Sequence, residues 1–469
     1  MSLKADNSNT HKIPNNHSEV NGLYLLGDHG LSICYANSIW GRKSPEIDYL
    51  IIGAGVVGLS TAYYIKKASP RSRVVVVDKN PGPGMGDTSK SAAMFRVFFS
   101  SRINVLITKS SVEFYEYVER SLGWDLGMRY LGYLFLVDSE ELERLRPALD
   151  AAEKLGGSYR VVEREELRRQ GFNVDVSRDE EARAMGIPDI EAGIYVPRAG
   201  TLDPDSLVRF YEASFKSLGG EVIYNTYVKR IVLGAKNPLD IPGEPFAWQD
   251  IEAKGVETDS GYIEARNIVV AAGAWTRRLL EPIGIDPVVN PKKRQIFVIR
   301  AGTEELSSLL YIKGYNDLGV IPFTILPRRV YIKPEARERS FWVGLSDDLG
   351  RPYALEEDPK PEESFYRYSI YPVLSKYLPQ FIGASPDTAW AGHYDMNPID
   401  GQPVIFKVGN IEVAAGTSGS GIMKADSIGR IASAVALDMD EAELFGGIRV
   451  RTEVFGLNRK DIERERIIL

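Results

Sequence analysis

The chain has 469 residues, and 64 acidic against 57 basic side chains give a formal net charge of −7. This length exceeds what one hydrophobic core usually organises, which predicts two domains. Apolar residues make up 44% and charged residues 26%, a composition typical of a globular protein. The acidic balance argues against a partner with a phosphate backbone such as a nucleic acid. Cys34 is the single cysteine, which excludes a disulfide framework and a metal centre of several thiolates built by this chain alone.

Histidine is scarce, because three of the four histidines fall in the first 30 residues and leave His393 in the body of the chain. A histidine-rich metal site is therefore not expected, and difficult redox chemistry would have to come from an organic cofactor. No stretch reaches the about 18 uninterrupted apolar residues that a membrane helix needs. The prediction is a cytoplasmic protein, with peripheral association at the inner membrane face left open. An excess of arginine over lysine and 24 tyrosines are consistent with a thermophilic source.

Residues 1–46 are rich in Asn, Ser and His and show no sustained period, so we expect an N-terminal tail. A short apolar run follows at 48–53, as in a strand buried on both faces. Helical spacing from Val56 to Ala68 and the run Val74–Val77 come next and end at Asp78. Together they predict one strand–helix–strand unit of about 30 residues.

A glycine turn joins the first strand to the helix. Its six residues are Gly53, Ala54, Gly55, Val56, Val57 and Gly58. Gly53 permits the tight turn, Gly55 lets a pyrophosphate approach the backbone, and Gly58 lets the helix pack closely on the sheet. The helix N-terminus offers free N–H groups to the phosphates. Asp78 is positioned to bind the ribose hydroxyls of a dinucleotide.

A second cluster of small and hydroxyl residues spans 82–96. Such a loop suits a ligand that continues beyond its pyrophosphate, such as a ribityl chain and flavin ring, and we predict FAD. Arg96 closes this cluster after three apolar residues, a context that suggests a buried arginine facing an anion.

Further elements follow in chain order. We predict strands at 221–224, 228–232, 267–273, 295–300, 329–333, 340–344 and 411–416, and helices at 139–154, 203–218, 362–378 and 425–437. The runs 130–137 and 161–169 stay without an assigned type. Residues 461–469 are a candidate charged helix that would dock on the body or on a second subunit, with a lid over the substrate entrance as the alternative. The fold class predicted is α/β, with a Rossmann-like FAD-binding domain of mostly parallel sheet and an inserted, mostly antiparallel substrate domain. We expect the FAD-binding domain at 47–125, 198–290 and 388–445, the substrate domain at 126–197 and 291–387, and a C-terminal tail at 446–469.

Residues 47–445 resemble the FAD-dependent oxidoreductases of the D-amino-acid oxidase superfamily, in particular the branch of sarcosine oxidase, dimethylglycine dehydrogenase and dye-linked proline dehydrogenase. The motifs that carry the resemblance follow the family order: the glycine turn with Asp78, then 201–204, 226–228, 271–275, 390–403 and 416–423. The resemblance implies non-covalent FAD held by the glycine turn and by further residues. These are Asp78, Lys79, Thr88, Ser89, Ala92, Ala93, Val228, Ala272, Gly273, Trp275, Gly419, Ser420, Gly421 and Met423.

The resemblance also implies oxidation of a carbon next to nitrogen, with Arg96 binding the substrate carboxylate. Tyr331 and Tyr394 match tyrosines of the substrate site, although ordinary half-buried tyrosines remain an alternative. His393 adjoins the flavin segment, where it would either tune substrate protonation or serve packing.

Several positions depart from the family pattern. Gly392 stands where sarcosine oxidases attach flavin through a cysteine, which excludes that covalent link. Met423 occupies the place of a second carboxylate-binding lysine, and Lys424 is one residue off. Trp342 aligns with the lysine that lies over the flavin in oxygen-using members, so the hypothesis is a dehydrogenase that passes electrons to a quinone, a dye-like acceptor or a partner protein.

Three functional interpretations stay open at this point: a dehydrogenase of a proline- or sarcosine-like amine, a dehydrogenase of a 2-hydroxy acid or polyol phosphate, and a non-catalytic flavoprotein of an assembly. The sequence does not define the substrate, its chirality or the oligomeric state.

Overall fold

The computed structural model describes residues 46–346, 351–458, 465 and 467. Almost all of the predicted N-terminal tail and most of the predicted C-terminal helix lie outside these residues. The strands, in chain order, are β1 Ile47–Ile52, β2 Val74–Val77, β3 Met94–Arg96, β4 Tyr133–Val137, β5 Arg160–Glu163, β6 Ala192–Val196, β7 Ala199–Thr201, β8 Glu221–Ile223, β9 Val228–Ala235, β10 Ile251–Thr258, β11 Gly261–Val270, β12 Asn290–Arg300, β13 Phe323–Ile325, β14 Val330–Glu335, β15 Ser340–Leu345, β16 Thr388–Met396, β17 Val404–Val408, β18 Ile411–Ala415, β19 Glu441–Glu443 and β20 Arg449–Arg451.

The helices connect and cover these strands. They are α1 Val56–Ala68, α2 Arg102–Leu122, α3 Ser139–Lys154, α4 Arg164–Arg169, α5 Glu180–Ala184, α6 Pro204–Ser217, α7 Thr276–Leu280, α8 Glu304–Leu310, α9 Glu363–Phe365, α10 Tyr371–Tyr377 and α11 Ala425–Ala436. Five of them, α2, α3, α5, α6 and α8, begin with a side chain that accepts a hydrogen bond from the first turn. For α6, Pro204 stands in the first turn and the Asp203 side chain accepts hydrogen bonds from two backbone N–H groups.

The first sheet contains the predicted dinucleotide-binding unit and is called the nucleotide-binding sheet below. Its strand order is β17-β18-β11-β1-β2-β8, and β10, which pairs with β11, also pairs with β9. Pairing is parallel from β18 to β8, while β17, β9 and β10 pair antiparallel. Leu50 and Ile51 of β1 point to opposite faces, and both are fully buried. The sheet is therefore covered on both sides, as expected of a doubly wound fold.

The second sheet has the order β16-β12-β15-β14-β13-β4-β6-β5. All of its pairs are antiparallel except that of β13 with β4. Together the two sheets confirm the predicted fold class, a mostly parallel α/β sheet with an inserted antiparallel sheet. The domain boundaries stay a prediction, and β16 pairs in this second sheet although we assigned 388–445 to the FAD-binding domain.

Local predictions and observed elements agree closely in the first βαβ unit, where α1 and β2 have the predicted bounds. The predicted helix 362–378 is instead three consecutive pieces: α9, one π-helical turn at 366–370, and α10. The long helix α2 was not predicted. Within residues 46–346 and 351–458, no helix is both long and apolar enough to cross a bilayer.

Candidate active site

The glycine turn after β1 depends on glycine for steric reasons. Gly53 has φ +112°, and a Cβ added there would lie 2.4 Å from the carbonyl oxygen of Ala271. A Cβ on Gly58 would lie 1.9 Å from the carbonyl oxygen of Gly53. A Cβ on Gly55 would meet Thr88 Oγ1 at 3.2 Å. Strand, turn and helix therefore pack at distances that exclude a side chain, and the N-terminus of α1 is left open to a ligand.

Asp78, which directly follows β2, accepts a hydrogen bond from the backbone of this turn. Its Oδ2 accepts a hydrogen bond from the backbone N–H of Ala54 at 2.7 Å. Its Oδ1 accepts one from the N–H of Asn80 at 2.8 Å. The carboxylate therefore fixes two backbone segments at the place where the sequence predicts it to bind ribose hydroxyls.

A cleft opens at this turn. Among the predicted cofactor residues, those that line it are Gly53, Gly55, Val56, Val57, Asp78, Lys79, Thr88, Ala92, Val228, Ala272, Gly273, Trp275, Gly419 and Gly421. Six others are outside the lining: Ala54, Gly58, Ser89, Ala93, Ser420 and Met423. Ala54 and Gly58 belong to the turn itself, and Gly58 acts by letting α1 approach β1.

A strap of residues 351–362 adjoins one side of the cleft. Glu357 pairs with Lys79 at 3.2 Å and with Arg278, and it accepts a hydrogen bond from Trp275 Nε1 at 3.1 Å. Lys79 Nζ lies 3.8 Å from the centre of the Trp275 ring. Lys79, Trp275 and Arg278 line the cleft, so Glu357 of the strap contacts residues of the cleft wall.

His393 is held by contacts on both ring nitrogens. Its Nε2 accepts a hydrogen bond from the N–H of Glu356 in the strap at 3.2 Å, and its Nδ1 lies 3.6 Å from Asp87 Oδ1. Asp87 also accepts a hydrogen bond from the backbone N–H of His393 at 2.8 Å. The imidazole ring is therefore held between the strap at Glu356 and Asp87. His393 lines the cleft as an oriented residue.

Asp395 shapes the turn that precedes α11, and the sequence analysis did not single it out. It is 7% exposed, and its carboxylate accepts hydrogen bonds from the Thr417 hydroxyl at 2.5 Å and from the Thr417 N–H at 3.1 Å. Burial raises the pKa of Asp395, and these hydrogen bonds oppose that shift. Its signal in the sequence was an acidic residue inside the motif 390–403.

Tyr331, Tyr394 and Arg294 meet at another part of the cleft wall. The Arg294 guanidinium carbon lies 5.0 Å from the centre of the Tyr394 ring. Tyr394 packs on Gly419, where a Cβ would lie 2.3 Å from its ring, and Tyr331 packs on Gly344 in the same way. Burial raises the pKa of both tyrosines, so they stay protonated near neutral pH. Arg294 was not predicted, because only the residues after it were assigned to a strand.

Arg96 and Trp342 are placed differently from the other predicted catalytic residues, since neither lines the cleft. Arg96 is 4% exposed, and its Nη2 donates a hydrogen bond to the carbonyl of Ile467 at 2.5 Å. Trp342 packs edge-on against Trp390, with ring centres 4.8 Å apart. Trp390 lines the cleft, whereas Trp342 contacts the cleft wall only through Trp390.

Comparison with known proteins assigns this arrangement to a family. Residues 48–435 match the family model described as "DAO: FAD dependent oxidoreductase". The chain belongs to the DAO family of FAD-dependent oxidoreductases. It is 25% identical over 437 residues to FAD-dependent oxidoreductase domain-containing protein 1 of Xenopus laevis, covering 85% of this chain and 81% of that protein.

Two further comparisons are with a named enzyme and with a solved structure. It is 28% identical over 353 residues to mitochondrial dimethylglycine dehydrogenase of Mus musculus, covering 72% of this chain and 35% of that protein. Among solved structures, the L-proline dehydrogenase of P. horikoshii superposes with a TM-score of 0.66 at 22% identity, covering 88% of this chain and 96% of that one. These findings confirm the predicted resemblance, and the structural likeness shows the same fold.

The cleft fits the FAD that the DAO family binds. Gly53 and Gly58 pack against backbone at distances that leave no room for a side chain, which keeps the turn tight at the start of α1. Besides this turn, the cleft lining includes Asp78, Thr88, Ala92, Val228 and Gly421. The described residues contain no cluster of three or more potential metal ligands. The protein is an FAD-dependent oxidoreductase by its family.

Proposed function

We propose that this protein is a dehydrogenase of a small carboxylate-bearing amine, proline- or sarcosine-like, that uses non-covalent FAD. The observation that carries the proposal is the group of Arg294, Tyr331 and Tyr394 on the cleft wall. The named relatives, a dimethylglycine dehydrogenase and an L-proline dehydrogenase, support this substrate class. A 2-hydroxy acid carries the same carboxylate and is the competing substrate class.

The reaction removes two electrons and two protons from the C–N unit, which turns an amine into an imine. Bound FAD supplies the two-electron acceptor for the hydride that leaves the carbon. Arg294 holds the substrate carboxylate, because a guanidinium fork matches the two oxygens of a carboxylate. Tyr331 and Tyr394 keep their protons and so orient the substrate by hydrogen bonds instead of acting as bases. The substrate ammonium must therefore lose a proton to solvent before the hydride leaves, which predicts a rate that rises as pH approaches the pKa of the ammonium group.

We propose an electron acceptor other than oxygen, such as a quinone, a dye-like compound or a partner protein. Stabilising superoxide-like charge at the flavin would need a cation beside it. Lys333, which lies 4.0 Å from the Trp342 ring, is paired with Glu335 at 2.6 Å and does not line the cleft. This part of the proposal rests on Trp342, which aligns with the lysine that oxygen-using members place over the flavin; it does not rest on a cleft without cations, since Lys79, Lys90, Arg278 and Arg294 line the cleft. Rapid peroxide formation during aerobic turnover would contradict this part of the proposal.

The test is an anaerobic screen that reads loss of the oxidised flavin absorbance on mixing with matched amine and hydroxy acids, such as sarcosine against glycolate. The expected result is bleaching by the amine alone. Arg294→Met should raise KM about 10- to 150-fold, because a hydrogen bond to a charged group contributes about 1.5–3 kcal/mol. The matched control is Arg300→Met, an exposed arginine at the end of the same strand. Bleaching by glycolate, or an unchanged KM in Arg294→Met, would overturn the proposal.

A further inference from the structure

The strap of residues 351–362 is held against the cleft by polar contacts. None of its residues lies in a helix or a strand, and Pro359 is the only one of them that is buried. A segment with so few buried apolar contacts opens locally at a low cost in free energy. Its position on the cleft wall therefore depends on its ion pairs and hydrogen bonds.

Both ends of the strap are anchored to β12. Lys292 Nζ donates a hydrogen bond to the carbonyl of Arg351 at 2.7 Å. The side-chain carbonyl of Gln295 accepts a hydrogen bond from the N–H of Glu362 at 2.6 Å. Lys293 Nζ pairs with Glu362 at 2.9 Å, and the side chain of Lys293 is only 12% exposed. The two ends are therefore the fixed parts of the strap.

The middle of the strap contacts the cleft wall through Glu357. Its carboxylate has three partners, the cations of Lys79 and Arg278 and the indole N–H of Trp275. Lys79 directly follows Asp78, the residue predicted to bind the ribose of FAD. The side chain of Glu357 is 52% exposed, so salt screens its ion pairs.

The neighbouring residue Glu356 adds a second contact with the cleft wall. Its backbone N–H donates a hydrogen bond to His393 Nε2 at 3.2 Å, and its carboxylate pairs with Lys293 at 3.1 Å. The ring centres of His393 and Trp275 are 5.6 Å apart. Glu356 and Glu357 therefore contact one continuous part of the cleft wall.

We propose that the strap retains FAD in the cleft, and that FAD leaves when Glu357 separates from its three partners. The anchored ends let the middle of the strap move without disturbing either sheet. Because the ion pairs of Glu357 are exposed, salt weakens the strap and speeds the release of FAD. The inference rests on the non-covalent FAD of the proposed function and is independent of the substrate.

The experiment measures how fast FAD leaves the full-length holoprotein after dilution, read as flavin absorbance in the filtrate of timed ultrafiltration. Glu357→Gln keeps the shape of the side chain and removes its charge. It should release FAD about three- to tenfold faster, since two exposed ion pairs are lost. Glu363→Gln, which removes an exposed carboxylate just after the strap, is the control and should release FAD at the unsubstituted rate. Raising the ionic strength from about 0.05 M to about 0.5 M should speed release more in the unsubstituted protein than in Glu357→Gln.

Hydrogen–deuterium exchange of the peptide that contains 351–362 follows the strap directly. We expect FAD to slow exchange of this peptide in the unsubstituted protein, and Glu357→Gln to speed it. Equal release rates in Glu357→Gln and the unsubstituted protein, or equal exchange of the strap in the two, would overturn the inference alone. FAD that stays attached to the denatured chain would contradict the non-covalent cofactor and the inference together. A screen that finds no amine substrate changes neither measurement.

Discussion

Glu412 is a carboxyl group buried in the nucleotide-binding sheet, and its substitution gives a sharp test of the electrostatics of the fold. It is 2% exposed, and neither oxygen has a hydrogen-bond partner in the described part of the chain. Across the strand pair stands Lys407, whose ammonium is bound to Asp438 at 2.6 Å. Burial raises the pKa of Glu412 well above its usual value, Lys407 opposes this, and Asp438 adds to it. At a pH near the ordinary pKa of glutamate, Glu412 is therefore still protonated in the folded protein.

The sign of the pH effect follows from where the proton is held. An unfolded glutamate has a pKa of about 4.3. Below that pH Glu412 is protonated in both the folded and the unfolded protein, so its titration does not reduce the free energy of unfolding. Above it the unfolded chain releases the proton that Glu412 keeps in the fold, so the free energy of unfolding falls as pH rises towards the folded pKa. The slope reaches about 1.4 kcal/mol per pH unit.

Glu412→Gln removes this slope, and Glu412→Met also removes the cost of burying a carboxyl group without partners, about 1–3 kcal/mol. The assay is thermal unfolding of the holoprotein between pH 5 and pH 8. Both variants should gain Tm relative to the unsubstituted chain, and the gain should grow with pH. Glu443→Gln, an exposed carboxylate on β19, is the control. A gain independent of pH, or a loss of Tm at pH 8 in both variants, would refute the reasoning.

Two further substitutions test the glycine turn and the core. Gly58→Ala should abolish retention of FAD, read as the flavin-to-protein absorbance ratio, because its Cβ would meet the Gly53 carbonyl oxygen at 1.9 Å. Gly302→Ala, which lies outside the cleft lining and whose Cβ would meet nothing within 4 Å, should keep it. Asp426→Asn should lower the free energy of unfolding by about 1.5–3 kcal/mol in denaturant titrations, since the fully buried Asp426 loses its charge-assisted hydrogen bond from Arg430, whose side chain is 16% exposed. Its control is the exposed pair member Glu363→Gln, and equal effects of the two would contradict this expectation.

Local pattern was enough to predict the first βαβ unit. Val74–Val77 is an uninterrupted β-branched run, and α1 begins at a glycine turn, so each element carries its own signal. Helix α2 was not predicted because the buried face of the helix includes polar residues such as Asn104, Thr108 and Ser111. These residues blur the apolar period on which sequence analysis depends.

The glycine turn is the part of the candidate site that local sequence pattern could predict, whereas Tyr331, Tyr394 and His393 were found through the family resemblance. Glycine positions reveal close approach, and most predicted cofactor residues do line the cleft. Partners that meet only through the tertiary fold leave no local signal, as with Asp87 and His393, which are 306 positions apart. Arg96 matched a family position, but its direction is decided by contact with the distant C-terminal residue Ile467.

The interleaving of the two sheets has a consequence for how the protein is made. The nucleotide-binding sheet places β1 between β2 and β11, and it is completed by β18 and β17. The cleft is likewise lined from Ile52 to Ile422. During translation, β1 and β2 therefore emerge long before their sheet neighbours β11 and β18, and the cleft that fits FAD is complete only after Ile422 has been made.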